Sequence, residues 1–142
     1  MGTIQLDDSR WPVIIITPPA HRVSDQDFAN YLAHHRAVIQ RHDSPYVIVV
    51  DLRENTGISP TQRQMLTDKM EADEVGESHA PVGCALVFRS ALLRGMLTAI
   101  FWIRRPAHHV QVFGELERAV AWARELPGPL SAASGTQRSA TR

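Results

Sequence analysis

The residues best suited to chemistry in this chain are seven histidines and a single cysteine. Histidine nitrogens and cysteine thiolates bind transition metals, usually as pairs separated by roughly two to five residues. No such spacing occurs here: two histidine pairs are directly adjacent, and His35 and His42 are seven residues apart. Cys84 lies within an apolar run, where a thiol is typically a small core side chain. The sequence therefore predicts no metal site and no cofactor, and it indicates buried or surface histidines.

Hydroxyl groups that could attack a substrate or accept a phosphate occur at two predicted helix starts. Ser90 follows an apolar run, but the Gly-x-Ser-x-Gly motif of a nucleophile elbow is absent, so helix capping explains it. Ser59 precedes Pro60, a residue favoured at the first helical position, and it too has the position of a cap. A phosphate on Ser59 or Thr61 would also be favourable at a helix N-terminus, so both interpretations stay open. Because no base, nucleophile and oxyanion donors come together, we expect a protein that is not an enzyme.

Arginines surround the third predicted helix. Arg89 and Arg94 bracket its start, near the sheet edge at which open α/β folds bind ligands. Together with Arg53 and Ser90 they are candidates for binding an anion, such as a carboxylate or a lipid head group. The alternative is that the long arginine side chains lie across apolar surface with their charged ends in water.

The composition is that of a soluble globular domain. The chain has 142 residues, 44% hydrophobic and 21% charged. Basic and acidic residues balance at 15 each, which gives no indication of nucleic-acid binding. One cysteine cannot form an internal disulfide, and the first ten residues lack the pattern of a signal peptide, so we expect a cytoplasmic protein. The longest apolar stretch is interrupted by Arg94 and falls short of the ~20 residues that span a bilayer, so no transmembrane segment is predicted.

Strand-like and helix-like patterns alternate four times along the chain. The predicted strands are short apolar runs, at 11–17, 46–52, 82–88 and 110–113. This alternation predicts an α/β fold with four main helices and a mostly parallel sheet of four to five strands, the first strand lying antiparallel at an edge. From Pro127 onward the chain is rich in Pro, Gly, Ser and Ala, which predicts a disordered tail over 127–142 and a domain over 1–126.

The predicted helix between Ser90 and Arg105 carries more apolar surface than one sheet can cover. A surface helix needs an apolar stripe roughly 100° wide, whereas apolar residues here extend over adjacent faces. Exposed apolar surface of this kind usually marks a docking site. We expect a homodimer formed through this helix, with a regulatory protein partner as a related possibility; the expected interface residues are Leu93, Leu97, Phe101 and Trp102.

The end of the chain resembles that of a known family. The segment 112–122, VFGELERAVAW, is similar to the closing "VF…A…W" segment of bacterial SpoIIAA-like proteins of the STAS superfamily, and the element order from Trp11 to Leu126 matches. The resemblance implies a small sheet wrapped by helices and regulation through protein–protein interaction, as in anti-sigma-factor antagonists. It places the superfamily's phosphorylated segment, roughly Asp-Ser-Ser/Thr-Gly, at 58–62, where Ser59 and Thr61 are present but the Asp and Gly are not.

The same resemblance implies a second interpretation, because more distant CRAL-TRIO relatives bind lipids. It predicts a small-molecule or lipid-binding domain with an apolar pocket beneath helix 90–105. The pocket would open toward Arg89 and Arg94. The sequence leaves both interpretations open.

Overall fold

A computed structural model describes residues 3–54, 59–74, 81–103 and 109–126, without the side chains of 70–74 and 101–103. Within these ranges the predicted α/β class, the mostly parallel sheet and the four helices are confirmed. The elements follow in the order β1 (Gln5–Arg10), β2 (Val13–Thr17), α1 (Asp25–His42), β3 (Val47–Asp51), α2 (Pro60–Glu74), β4 (Gly83–Val87), α3 (Ala91–Ile103), β5 (His109–Phe113) and α4 (Leu116–Glu125).

The five strands form one sheet in the order β1-β2-β3-β4-β5. Strands β2 to β5 are parallel, so each is joined to the next by a crossover helix. Right-handed crossovers that advance in one direction place α1, α2 and α3 on the same face of the sheet. The last helix, α4, packs on the opposite face, across β2 to β5.

The strand at the antiparallel edge is not the predicted one. The predicted first strand, β2, is an interior strand that is parallel to β3, and the edge position belongs to β1. β1 was not predicted because Leu6 is its one apolar side chain, which packs against the core beside the preceding Ile4, while the other side chains of β1 are polar. An edge strand needs few apolar residues, and Asp7, Asp8 and Arg10 make β1 resemble a loop.

The two faces of the sheet are covered to very different extents. On the α4 face, Val47, Val49, Ala85 and Val87 are 0% exposed and pack against Ala119 and Ala123 of that helix. On the opposite face, the side chains of the last three strands stay half-buried; these are Ile48, Val50, Cys84, Leu86, Val110 and Val112. The α4 face is therefore sealed, whereas the face below α3 is reached by solvent.

Three serines cap the helices on the open face, and two of them, Ser59 and Ser90, are the predicted caps. Ser24 Oγ accepts a hydrogen bond from the Asp27 N–H (3.0 Å), and Ser90 Oγ accepts one from the Leu93 N–H (3.1 Å). Ser59 Oγ accepts from the Gln62 N–H (3.0 Å) at the start of α2. These bonds satisfy N–H groups that have no partner within the helix.

Two of the three histidines of α1 pack against other side chains, and His34 is exposed. His35 is 3% exposed, and its Nδ1 lies 3.0 Å from the Tyr31 hydroxyl. His42 is half-buried; its ring stacks on Trp11 with centroids 3.8 Å apart, and its Nε2 lies 2.9 Å from Asp8 Oδ2. The His42 ring therefore helps to hold the end of α1 to Trp11 and Asp8, whereas the contact between His35 and Tyr31 lies within α1.

Candidate functional site: helix α3 and the carboxyl edge of the sheet

Helix α3 presents four large apolar side chains to solvent. Their exposed fractions are 76% for Leu92, 37% for Leu93, 54% for Met96 and 49% for Ile100. We call these four residues the outward face of α3. The inner side of the helix carries Arg94 and Leu97, which are half-buried. The predicted excess of apolar surface is therefore present in the fold.

Arg94 links the start of α3, through hydrogen bonds, to the backbone that follows β4. Its Nη1 donates to the carbonyl oxygens of Phe88 (2.7 Å) and Arg89 (2.9 Å), just beyond β4. The guanidinium also lies against Gly114, where an added Cβ would be only 3.0 Å from Nη1. Gly114 thus leaves room for Arg94 beside the turn that follows β5.

The other two candidate arginines at this edge have acidic partners. Arg53 donates from Nε and Nη2 to the two carboxylate oxygens of Asp51, each at 2.8 Å. Arg89 forms an ion pair with Glu54. The structure thus brings Arg53, Arg89, Ser90 and Arg94 to the carboxyl end of β3 and β4. An anion would have to compete with these existing contacts, and its binding here stays a prediction.

The Arg53 guanidinium hydrogen-bonds to Asp51 and holds the pKa of that carboxyl below its ordinary value, despite the opposing effect of partial burial. A lowered folded-state pKa means that the carboxylate stabilises the fold above its ordinary pKa of about 3.9, and that this contribution is lost as the pH falls through the lowered value. We therefore expect the stability advantage of wild type over Asp51→Asn to be present at pH 6 and to shrink by pH 3. Urea unfolding at both pH values measures it; an advantage that stays constant would contradict the assignment.

The six half-buried side chains described above form an apolar surface on the open face of the sheet. Cys84 belongs to this surface, and burial raises the pKa of its thiol to about 12, although solvent reaches part of the side chain. Burial, with a smaller effect of Cys84, also raises the pKa of the Tyr31 hydroxyl on α1. Both groups are neutral at physiological pH, so neither supplies a nucleophile or a base there.

A separate groove of about 440 Å³ lies between α1 and α2. Its lining mixes Leu32 and Met65 with the charged side chains of Arg36 and Asp68. It lies between two helices, away from the outward face of α3.

The candidate phosphoacceptors lie at the start of α2. Ser59 is half-buried and acts as the helix cap, whereas Thr61 is exposed on the first turn. The segment 55–58, which includes part of the expected phosphorylation segment, lies outside the described residues. Phosphorylation of either hydroxyl stays a prediction. In the described ranges, no three His, Cys, Asp or Glu side chains gather as a metal-ligand set.

Gln62 is a structural residue that the sequence analysis missed. It is 2% exposed, and its Nε2 donates to the Val23 carbonyl (2.8 Å) and to Asp25 Oδ1 (2.9 Å). This amide therefore joins the start of α2 to the start of α1. The Ser59-x-x-Gln62 spacing is that of a capping box, a signal that could have identified it.

The predicted interface residues are partly within the described structure. Leu93 belongs to the outward face of α3, whereas Leu97 is half-buried on the inner side of the same helix. The backbone of Phe101 and Trp102 continues the helix, but their side chains lie outside the described residues, as do Arg104 and Arg105. Of the described helices, none has the length and apolar character needed to cross a membrane.

Comparison with solved structures identifies the fold. An uncharacterized protein of the DUF3478 family with a SpoIIAA-like fold, from Shewanella loihica, superposes with a TM-score of 0.63 at 13% identity, covering 85% of this chain and 92% of that one. An anti-sigma factor antagonist from Mycobacterium paratuberculosis superposes with a TM-score of 0.53 at 17% identity, covering 87% and 94%. No family model matches the sequence, and no curated protein matches it. The chain has a SpoIIAA-like fold, as the resemblance of its closing segment predicts.

Proposed function

We propose that this chain is a non-enzymatic regulatory domain of the bacterial cytoplasm that acts by docking through the outward face of α3. The likeness to an anti-sigma factor antagonist supports a regulatory role. The observation that carries the proposal is the exposure of Leu92, Leu93, Met96 and Ile100 on one side of a single helix. Burying such side chains contributes about 25 cal/mol per Å² of apolar surface, so a docked partner gains stability from every one of them.

We infer that the partner is a second copy of this chain. The outward face carries no charged side chain, so two copies can face each other there without opposing like charges. Gly95 lies on the exposed side of the helix, and a Cβ built there would have nothing within 4 Å. Together with the small Ala91 and Ala99, it allows another helix to approach the backbone closely. A regulatory protein partner would use the same surface.

Replacing Met96 by aspartate is expected to weaken self-association by at least about 100-fold. A charge buried in an apolar interface costs several kcal/mol, and each 1.4 kcal/mol is about tenfold in affinity. The monomer should be almost unaffected, because Met96 is 54% exposed. Sedimentation equilibrium of Met96→Asp beside wild type measures the change in dissociation constant.

The matched control is Leu66→Asp. Leu66 is also apolar and 37% exposed, but it lies on α2. We expect it to self-associate like wild type and to unfold at a similar temperature. If both variants weaken association equally, or neither does, the outward face of α3 is not the docking surface.

The half-buried apolar surface on the open face of the sheet supports a second function, the binding of a small molecule or lipid beneath α3. The supporting observation is the contrast between the sealed α4 face and the half-buried side chains under α3. An uncharged surface that includes the neutral Cys84 thiol fits an apolar ligand, and Arg89 and Arg94 lie at one end of the helix. Native mass spectrometry of protein purified from cells should then show a bound ligand of defined mass. Apo protein that also shows no thermal shift with fatty acids or phospholipids would exclude this function.

A further inference from the structure

The two edges of the sheet differ in how they are protected from pairing with another strand. β1, at one edge, carries Asp7, Asp8 and Arg10, and its register shifts between Asp7 and Arg10. Charges and bulges of this kind block the addition of a further strand. β5, at the other edge, reads His-Val-Gln-Val-Phe, has no Asp, Glu, Lys, Arg or Pro, and keeps an unbroken register with β4. Within the described ranges, β4 is its one strand neighbour.

The hydrogen bonds between β4 and β5 show which backbone groups of β5 point away from β4, toward this edge. The Phe88 N–H donates to the Phe113 carbonyl (2.9 Å), so the backbone groups of Phe113 point toward β4. Backbone groups alternate sides along a strand, so those of Gln111 also point toward β4. Those of Val110 and Val112 point away from the sheet. These two residues therefore present N–H and C=O groups to a further strand.

We propose that β5 pairs antiparallel with β5 of a second copy, about a two-fold axis at Gln111, which joins the two sheets into one. The proposal rests on the self-association proposed above and specifies its geometry. In this register Val110 of one copy lies opposite Val112 of the other, and the two exchange N–H···O bonds. Gln111 lies opposite Gln111 as the non-hydrogen-bonded pair at the centre.

The sequence of β5 suits such self-pairing because it is nearly symmetric about Gln111. Valine meets valine on the α3 side of the sheet, and β-branched side chains are favoured in cross-strand pairs. On the other side, His109 meets Phe113, a pair of rings. His109 and Gln111 are exposed, so their side chains are accessible to a second copy.

The pairing also accounts for the outward face of α3. This helix packs against β5, so a two-fold axis at β5 brings the α3 helices of both copies to the same side of the joined sheet. Leu92, Met96 and Ile100 of each copy would then lie near the junction. Strand pairing and helix packing would act as one interface, in which hydrogen bonds set the register and apolar contacts stabilise it.

Val112→Pro tests the strand pairing without disturbing β4. Proline removes the edge-facing N–H and its ring blocks the approach of another strand, yet it is tolerated where that N–H faces away from the sheet. Val112→Ala is the matched control, since it removes similar side-chain packing but keeps the N–H. Circular dichroism should show both variants folded. We expect Val112→Pro to weaken self-association at least about 100-fold, and Val112→Ala less than about 10-fold.

Cross-linking at Gln111 gives an independent readout. Residues of a non-hydrogen-bonded antiparallel pair have Cα atoms about 4.5 Å apart, within the range that a disulfide spans. Gln111→Cys should therefore form a covalent dimer under mild oxidation. Ser9→Cys on exposed β1 is the control and should form little. The half-buried Cys84, whose thiol pKa is raised to about 12, should not compete.

The outcomes separate this inference from the proposed function. If Met96→Asp dissociates the dimer but Val112→Pro does not, and Gln111→Cys fails to cross-link, α3 docks and the β5 pairing is wrong. If Val112→Pro dissociates the dimer and Met96→Asp does not, the strand pairing holds and the role of α3 is wrong. A wild-type chain that stays monomeric overturns both.

Discussion

Aspartate at Val49 is expected to unfold the protein, whereas aspartate at the adjacent Val50 is expected to leave it folded. Val49 is 0% exposed on the sheet face that α4 seals, and Val50 is half-buried on the face below α3. An unpaired carboxylate at Val49 would cost more than about 4 kcal/mol, a large part of the 5–15 kcal/mol that usually stabilises a domain. At Val50 water reaches the side chain, so we expect a cost of about 1–2 kcal/mol.

Far-ultraviolet circular dichroism and thermal unfolding of the two variants measure this difference. Asp51, one residue further along β3, shows what a carboxylate needs on the sealed face. It is 9% exposed and is held by two hydrogen bonds from the Arg53 guanidinium. If Val49→Asp and Val50→Asp lower the stability equally, the two faces of the sheet are not covered differently.

Replacing Tyr46 by alanine is expected to destabilise the fold by about 3–5 kcal/mol, the usual cost of removing a large buried aromatic side chain. Tyr46 is 0% exposed and packs with Ile14, Ile16 and Ile39 between α1 and the sheet. Its ring centroid also lies 5.7 Å from that of Trp11. Of the described residues, Tyr46 is thus the largest fully buried side chain.

Urea unfolding gives the free-energy change directly, with Leu66→Ala as the control. Leu66 is 37% exposed on α2, so its truncation should change the free energy of unfolding by no more than about 0.5 kcal/mol. A Tyr46→Ala cost below about 1 kcal/mol would mean that α1 is not packed on the sheet as described. Because Tyr46 packs with side chains of β2 and α1, this variant reports on the fold without replacing a residue of the proposed interface.

The interior strands could be predicted from sequence because parallel strands carry apolar side chains on both faces and form continuous apolar runs. β3 and β4 form such runs, although only one of their faces is fully buried, and the serine caps predict where the helices after them begin. β1 could not be found in this way. As an edge strand it buries one side only. Its aspartates form side-chain contacts that the sequence does not reveal, such as the one between Asp8 and Arg41, 33 residues away.

The site could be predicted only in part, because helical periodicity gives the face of a side chain and not its long-range partner. The apolar excess of α3 follows from the sequence, and the structure assigns it to Leu92, Leu93, Met96 and Ile100. The roles of the arginines do not follow. Arg94 binds strand-end carbonyls beside Gly114, a contact between residues 20 positions apart that depends on the crossover from β4 to β5. The free edge of β5 likewise emerges only from the strand order.

The molar mass of the wild-type chain in solution, measured by light scattering across a concentration series, tests the central claim most directly. If α3 docks a second copy, the mass should rise from 15.9 kDa toward twice that value as the concentration reaches the high micromolar range. Met96→Asp should stay at the monomer mass over the same range, and Leu66→Asp should follow wild type. A wild-type mass of 15.9 kDa at every concentration, unchanged in Met96→Asp, would contradict the claim.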